Sequence, residues 1–117
     1  AFEHAIDSHA LQVVQPDVAK WGGISKCLPI AKKIILSQLR YCPHYLGAGI
    51  GLRASAHLLA AVGGNGMLEI DANPNPLRTL MSGPIEQVLN GQINIGDTPG
   101  LGSIPDLQML NSYAVAF

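Results

Sequence analysis

The chain has 117 residues, 48% of them hydrophobic and only 13% charged, with 7 basic side chains against 8 acidic ones. That length suits one small domain or a part of a larger one, and the apolar content is too high for a disordered segment. So balanced a charge leaves no basic stripe for a phosphate backbone, and no apolar run approaches the roughly 20 residues of a membrane span, so neither nucleic acid nor membrane is expected as a partner.

In chain order, the segment carrying His4 and His9 reads as the end of a helix and a turn. Ala10-Leu11-Gln12-Val13-Val14-Gln15 is short and rich in β-branched residues, and Pro16 ends it, which predicts a buried strand. Gly22-Gly23 then signals a turn, and Ser25 is placed to cap a helix. Ile24, Cys27, Leu28, Ala31, Ile34 and Ile35 recur at helical spacing, while Lys26, Lys32, Lys33 and Ser37 take the other face. Pro29 falls inside this helix and is expected within its first turns, where a missing N–H costs little. The second predicted strand is Arg40-Tyr41-Cys42-Pro43, running into His44 and a glycine-rich turn, Gly47-Ala48-Gly49-Ile50-Gly51. A helix over Leu52 to Val62 follows, poor in charge and so expected to be buried around most of its girth; Gly63-Gly64 stops it. Met67-Leu68-Glu69-Ile70 reads as a third strand. Beyond Asp71 the chain is expected to be irregular, with Asn73-Pro74-Asn75-Pro76 and Asp97-Thr98-Pro99-Gly100-Leu101-Gly102, save for a short strand Gln92–Ile95 after the Asn90-Gly91 turn.

Strand, helix, strand, helix, strand makes a pair of βαβ units and implies a parallel sheet. The expected fold class is therefore α/β. Three strands with two covering helices form an incomplete layer, less than half of the about 250 residues typical of an eight-fold barrel. Few charges on so short a chain point the same way, toward a surface that is normally covered.

Each predicted strand ends in one ionisable residue: Asp17, His44 and Glu69, spaced by 27 and 25 residues. Equal repeats in a parallel arrangement bring the same strand ends to the same face, at the carboxyl edge where α/β folds place ligands and catalysts. A carboxylate beside a histidine can orient the imidazole, fix its tautomer and raise its basicity, and Glu69 could exchange a proton with a substrate oxygen. Taken singly, each residue is better read as a turn cap or a satisfied loop histidine; three in register favour a site. A competing signal is Gly49-x-Gly51-x-x-Ala54, with Asp71 lying 20 residues beyond Gly51, the outline of a dinucleotide fingerprint. Pro43 and His44 interrupt the strand before it, and the glycines Gly47, Gly49 and Gly51 are better read as letting backbone approach an anionic substrate group at a helix N-terminus. His4 and His9 lack a third ligand, Cys42 should point away from the face of His44, and His57 reads as structural or surface. Cys27 and Cys42 match neither a CxxC pair nor a disulfide framework, and the stretch from Ala1 shows no leader peptide, so a reduced, cytoplasmic setting is expected.

These residues resemble a known family. Val14-Gln15-Pro16-Asp17-Val18-Ala19-Lys20-Trp21-Gly22-Gly23-Ile24 is similar to the sixth-strand segment of the enolase superfamily barrel. Pro43-His44, the glycines that follow and Ala54-Ser55-Ala56-His57-Leu58 resemble the seventh strand and its helix; Leu68-Glu69-Ile70-Asp71 resembles the eighth, and Asp97-x-Pro99-Gly100-Leu101-Gly102 the tail. The resemblance runs through nearly the whole chain and is strongest to the mandelate racemase group, which includes racemases, acid-sugar dehydratases and lactone cycloisomerases. It implies that residues 1–117 are the C-terminal part of a (β/α)-barrel, about its last three βα units plus the tail. It implies too that the capping domain and the acidic ligands of an essential magnesium ion lie before Ala1. By the same resemblance His44 is the base that takes the proton α to a carboxylate, Asp17 its partner, and Glu69 the group that hydrogen-bonds the substrate carboxylate as it becomes an enediolate. A lysine at the position of Asp17 would mark the muconate-lactonising branch instead. The implied activity is metal-dependent abstraction of the α-proton of a hydroxy or sugar acid, as racemase, dehydratase or cycloisomerase. The intact parent is expected to be a homo-oligomer and the isolated chain inactive. The rival expectations are a dinucleotide-binding domain and a non-catalytic half-barrel.

Overall fold

The structure, a computed structural model, describes residues 1–83 and 87–115. Its elements in chain order are α1 (Phe2–Asp7), β1 (Val13–Val14), α2 (Gly23–Leu36), β2 (Arg40–Tyr41), α3 (Gly49–Val62), α4 (Pro76–Ser82) and α5 (Leu107–Leu110). β1 and β2 pair in parallel, Val13 opposite Arg40 and Val14 opposite Tyr41. The Arg40 N–H donates to Gln12 and the Cys42 N–H to Val14, so the pairing runs slightly beyond the named strands. Both strands are shorter than the sequence pattern predicts. Pro16 and Pro43 follow them closely, and neither has an N–H to extend a ladder.

The sheet of the described residues has two strands rather than the three expected. Met67–Ile70 forms no ladder, although it lies against β2: a Cβ on Gly66 would collide with the Tyr41 carbonyl, and the Met67 N–H points to the Cys42 thiol at 3.4 Å. Pro43 removes a donor from the stretch of chain along which that ladder would continue. The tail differs in a related way. Asn90 and Gly91 both have positive φ, 53° and 74°, and close a tight turn with a single Leu89–Gln92 bridge, but no strand follows. Ile93 and Ile95 instead lay their side chains on the Leu52 and Ala56 cluster of α3.

α2 shows the predicted buried stripe. Cys27, Ala31 and Ile34 are fully buried and join Ile6, Val14, Val18, Tyr41, Ala54 and Leu58 in one core, with Leu28 and Ile35 at its edge. Ile24, the first member of that stripe, stays 41% exposed. The helix starts earlier than expected, capped by Gly22 at φ 84° with no side-chain cap, and Ser25 sits within its first turn. Pro29 therefore falls in the middle of α2, not at its start. It lies on the exposed face, as does Ser25, so water can reach the carbonyl that the missing N–H leaves unpaired. α1 docks on this layer through a Phe2–Trp21 edge-to-face pair at 4.7 Å and a Lys33–Asp7 bridge at 2.9 Å.

α3 begins at Gly49, within the expected glycine turn, and ends at Gly63 as predicted. Most of its girth is buried, Leu52 through Ala56 without a gap. α4 falls where irregular chain was expected. Asn75 Oδ1 accepts from the N–H groups of Leu77 and Arg78, and Pro76 stands at the first helical position, where its fixed φ suits a helix.

One core residue carries an avoidable cost. Tyr41 is fully buried and its hydroxyl has no partner among the described residues, while burial pushes its pKa up. Tyr41→Phe removes that stranded group without opening a cavity, and is expected to leave stability unchanged or raise it by up to about 1 kcal/mol. A lowered denaturation midpoint would show that the hydroxyl finds a partner in solution.

Candidate active site

The two prolines that end the strands also aim the residues after them. Pro16 delivers Asp17 and Pro43 delivers His44 at the carboxyl ends of neighbouring parallel strands, where the two side chains meet. Asp17 Oδ2 lies 3.1 Å from His44 Nδ1. Asp17 is only 5% exposed and uses its other oxygen, Oδ1, to accept the Ala19 N–H at 2.8 Å. Its backbone carbonyl accepts from Lys20 and Trp21, closing the turn that leads toward α2. The same Oδ2 that faces His44 also lies 3.1 Å from Lys20 Nζ. Burial pushes the Asp17 carboxyl upward, but the hydrogen bonds from His44, Lys20 and Ala19, with the Lys20 charge, outweigh it and hold the group below its ordinary value. Asp17 is thus an ionised acceptor. It requires the proton of a neutral His44 imidazole to sit on Nδ1, which leaves Nε2 as the basic atom.

Glu69 reaches this pair indirectly. Its Oε2 accepts the Tyr45 N–H at 3.1 Å, so the residue next to His44 fixes it, and no hydrogen bond links it to His44 or Asp17 among the described residues. The strand that was expected to carry Glu69 is absent; the carboxylate is held by a single contact to the loop after β2.

The glycines make close approaches within the chain itself. The places that Cβ atoms of Gly47 and Gly51 would occupy are filled by the Tyr45 ring, and a Cβ on Gly49 would collide with backbone of Arg78 and Ser82 in α4. The Tyr45 hydroxyl lies against the place a Gly51 Cβ would occupy, at the first turn of α3. Burial and the Asp17 charge push the Tyr45 phenol up, opposed by the nearby backbone of Gly51 and Ala48. The helix start expected to receive an anionic substrate group at Gly47, Gly49 and Gly51 is packed against the protein's own tyrosine ring and α4. The same packing speaks against the dinucleotide outline, because Tyr45 and α4 crowd the glycines along which a pyrophosphate would run. Asp71, its supposed ribose ligand, accepts from the N–H groups of Asn73 and lies 3.8 Å from Arg78.

The remaining candidates separate as well. His4 and His9 are exposed, His57 Nε2 sits 3.3 Å from the Leu101 carbonyl, and Cys42 turns its sulfur to the Met67 N–H. Both cysteines are free and buried. Among the described residues no group of three or more His, Cys, Asp or Glu side chains could hold a metal ion, so Asp17, His44 and Glu69 do not fit as a magnesium site. No helix among them is long and apolar enough to cross a membrane. Sequence reasoning missed Lys20 and Tyr45. Lys20 was detectable as a cation three residues after Asp17 across a turn, and Tyr45 as the large side chain beside three glycines that leave a niche to fill.

Comparison with known proteins agrees with this architecture. D-Galactarolactone cycloisomerase of Agrobacterium fabrum is 33% identical over 107 residues, which is 84% of this chain and 28% of that enzyme. Arabinonate dehydratase of Saccharolobus solfataricus is 31% identical over 101 residues, 86% of this chain and 27% of the enzyme. The crystal structure of the 3,6-anhydro-D-galactonate cycloisomerase from Zobellia galactanivorans superposes with a TM-score of 0.83 at 29% identity, covering 96% of this chain and 32% of that one. The chain thus spans under a third of the length of these relatives, and its fold is that of part of a (β/α)-barrel. The family model for the enolase C-terminal domain-like proteins matches residues 1–109, and the chain belongs to that family.

Proposed function

We propose that this chain supplies the acid–base half of an enzyme that removes the proton α to a carboxylate in a hydroxy or sugar acid, leading to racemisation, dehydration or lactone cycloisomerisation. The observation that carries the reading is the Asp17–His44 pair at 3.1 Å, a buried carboxylate holding a part-exposed imidazole. The relatives' names supply the substrate class, since they act on lactones and acids of sugars.

In this reading His44 Nε2 accepts the α-proton, while Asp17 stays ionised and stabilises the imidazolium that forms. Glu69 uses Oε2 to hold the Tyr45 N–H and offers Oε1 for a hydrogen bond to the substrate carboxylate. Tyr45 keeps the loop between the two closed against α3. A magnesium ion would neutralise charge on the enediolate; its ligands are proposed to lie outside the described residues, as is a capping domain. A cytoplasmic setting, suggested by the two free cysteines, and a homo-oligomeric parent belong to the same proposal.

The test is hydrogen–deuterium exchange at the α-carbon of an acid-sugar substrate, followed by NMR in the protein that carries this chain. His44→Asn is expected to abolish exchange on the face that His44 serves and to leave substrate binding intact. Undiminished exchange in that variant would overturn the reading.

A further inference from the structure

We propose that Lys20 is a positioning residue of the acid–base pair, which shares the Asp17 carboxylate with His44 and sets how firmly that carboxylate grips the imidazole. The proposal rests on His44 being the base, and deepens that reading.

Three donors converge on a carboxylate that is 5% exposed. The Ala19 N–H occupies Oδ1 at 2.8 Å, while His44 Nδ1 and Lys20 Nζ both approach Oδ2 at 3.1 Å. The first contact fixes the rotation of the group, so that Oδ2 must face both of the other donors. The turn fixes Lys20 in its place: its own N–H and that of Trp21 bond to the Asp17 carbonyl at 3.1 and 2.9 Å. Lys20 is 67% exposed at its side chain, so neither its packing nor its burial explains its aim; the shared oxygen does.

The consequence follows from charge. A lone aspartate behind a histidine stabilises the imidazolium and raises its basicity. A lysine on the same oxygen withdraws part of that negative charge and repels the imidazolium, so the base that has taken a proton gives it up more readily. For a reaction that must return or pass on the proton each turnover, this matters as much as taking it. The other groups facing the pair do not duplicate the effect. From α2 the Cys27 thiol donates to the Asp17 backbone carbonyl at 3.8 Å; from the loop after β2 the Tyr45 phenol feels the Asp17 charge; Glu69 is tied to the Tyr45 N–H. Among the described residues Lys20 is the one fixed cation on this carboxylate.

The test is the titration of the His44 imidazole, followed by NMR on the full chain with labelled histidine and assigned through His44→Asn. Lys20→Met is expected to raise the midpoint of that titration by about half a pH unit, the size set by a partly exposed ion pair, and Lys20→Arg to restore it. A midpoint unchanged in Lys20→Met overturns the proposal, and so does an equal shift in Lys20→Arg, which would mark a steric effect rather than a charge. The measurement needs no turnover. Should α-carbon exchange persist in His44→Asn, the functional reading fails while the coupling of Lys20 to the pair is still measured on its own terms.

Discussion

Asp17→Asn is expected to lower α-proton exchange by about 10³- to 10⁴-fold in the protein that carries this chain, with the fold retained. The geometry gives the reason. An ionised carboxylate can only accept, so it holds the imidazole proton on Nδ1 and leaves Nε2 basic. Asparagine at the same place can present its NH₂ to His44 Nδ1, 3.1 Å away in the native pair, and that arrangement puts the imidazole proton on Nε2, where no base is left. The side chain is nearly isosteric and the Ala19 N–H can still bond to the amide oxygen, so the loss belongs to the tautomer and not to the turn. Stability offers an independent check. The Asp17 pKa is depressed in the folded chain, so its contribution is fully present above the ordinary value of 3.8 and fades as the pH falls through the lowered one. Denaturation followed from neutral to acid pH should show the wild type losing more stability over that range than Asp17→Asn. Parallel acid limbs for the two proteins, or exchange within about tenfold of the wild type, would contradict this account.

The meeting of Asp17 with His44 was legible because it depends on periodicity. One polar residue follows each apolar strand, and a right-handed βαβ crossover brings those positions together whatever the details between. The α2 stripe was legible for a similar reason, since 3.6-residue spacing survives tertiary packing. What stayed hidden depends on single contacts. Gly47, Gly49 and Gly51 announce a close approach, but composition does not say whether a ligand, a tyrosine ring or a second helix arrives; here Tyr45 and α4 do. The Asn75-Pro76 pair looked like broken chain, yet an asparagine cap and a first-position proline are also how a short helix starts. Met67–Ile70 has a strand's composition, but a ladder needs donors on both sides and Pro43 has none.

A buried cation inside a helix of low charge was equally invisible, and it leads to the largest stability effect expected. Arg53→Met should cost about 3–5 kcal/mol, a large share of the about 5–15 kcal/mol by which a domain is stable. Arg53 is 2% exposed at the centre of α3's buried face and forms no ion pair among the described residues. Its counter-charge is a set of backbone carbonyls. Nε donates to Leu101, Nη1 to Ser82 at 2.6 Å and Nη2 to Ile95 at 2.9 Å. One planar group thereby ties the end of α4, the chain after the Asn90-Gly91 turn and the tail to a single helix, and His57, one turn on, adds a second contact to Leu101. Methionine keeps most of the apolar stem, so the loss measures the carbonyls left unpaired, each worth about 1–3 kcal/mol where water cannot reach it. Lysine is no substitute: its ammonium is a point charge without the fork that spans three acceptors, and Arg53→Lys should recover less than half of the loss. Denaturant midpoints measure the total, and amide exchange should show protection lost first at Gly96 to Gly102. A cost under about 1 kcal/mol for Arg53→Met would mean that these carbonyls are already hydrated. The clamp also bears on the site. By holding the end of α4 to α3, it keeps the Ser82 backbone seated against Gly49, and that packing fixes the helix start under the Tyr45 hydroxyl, one residue from His44.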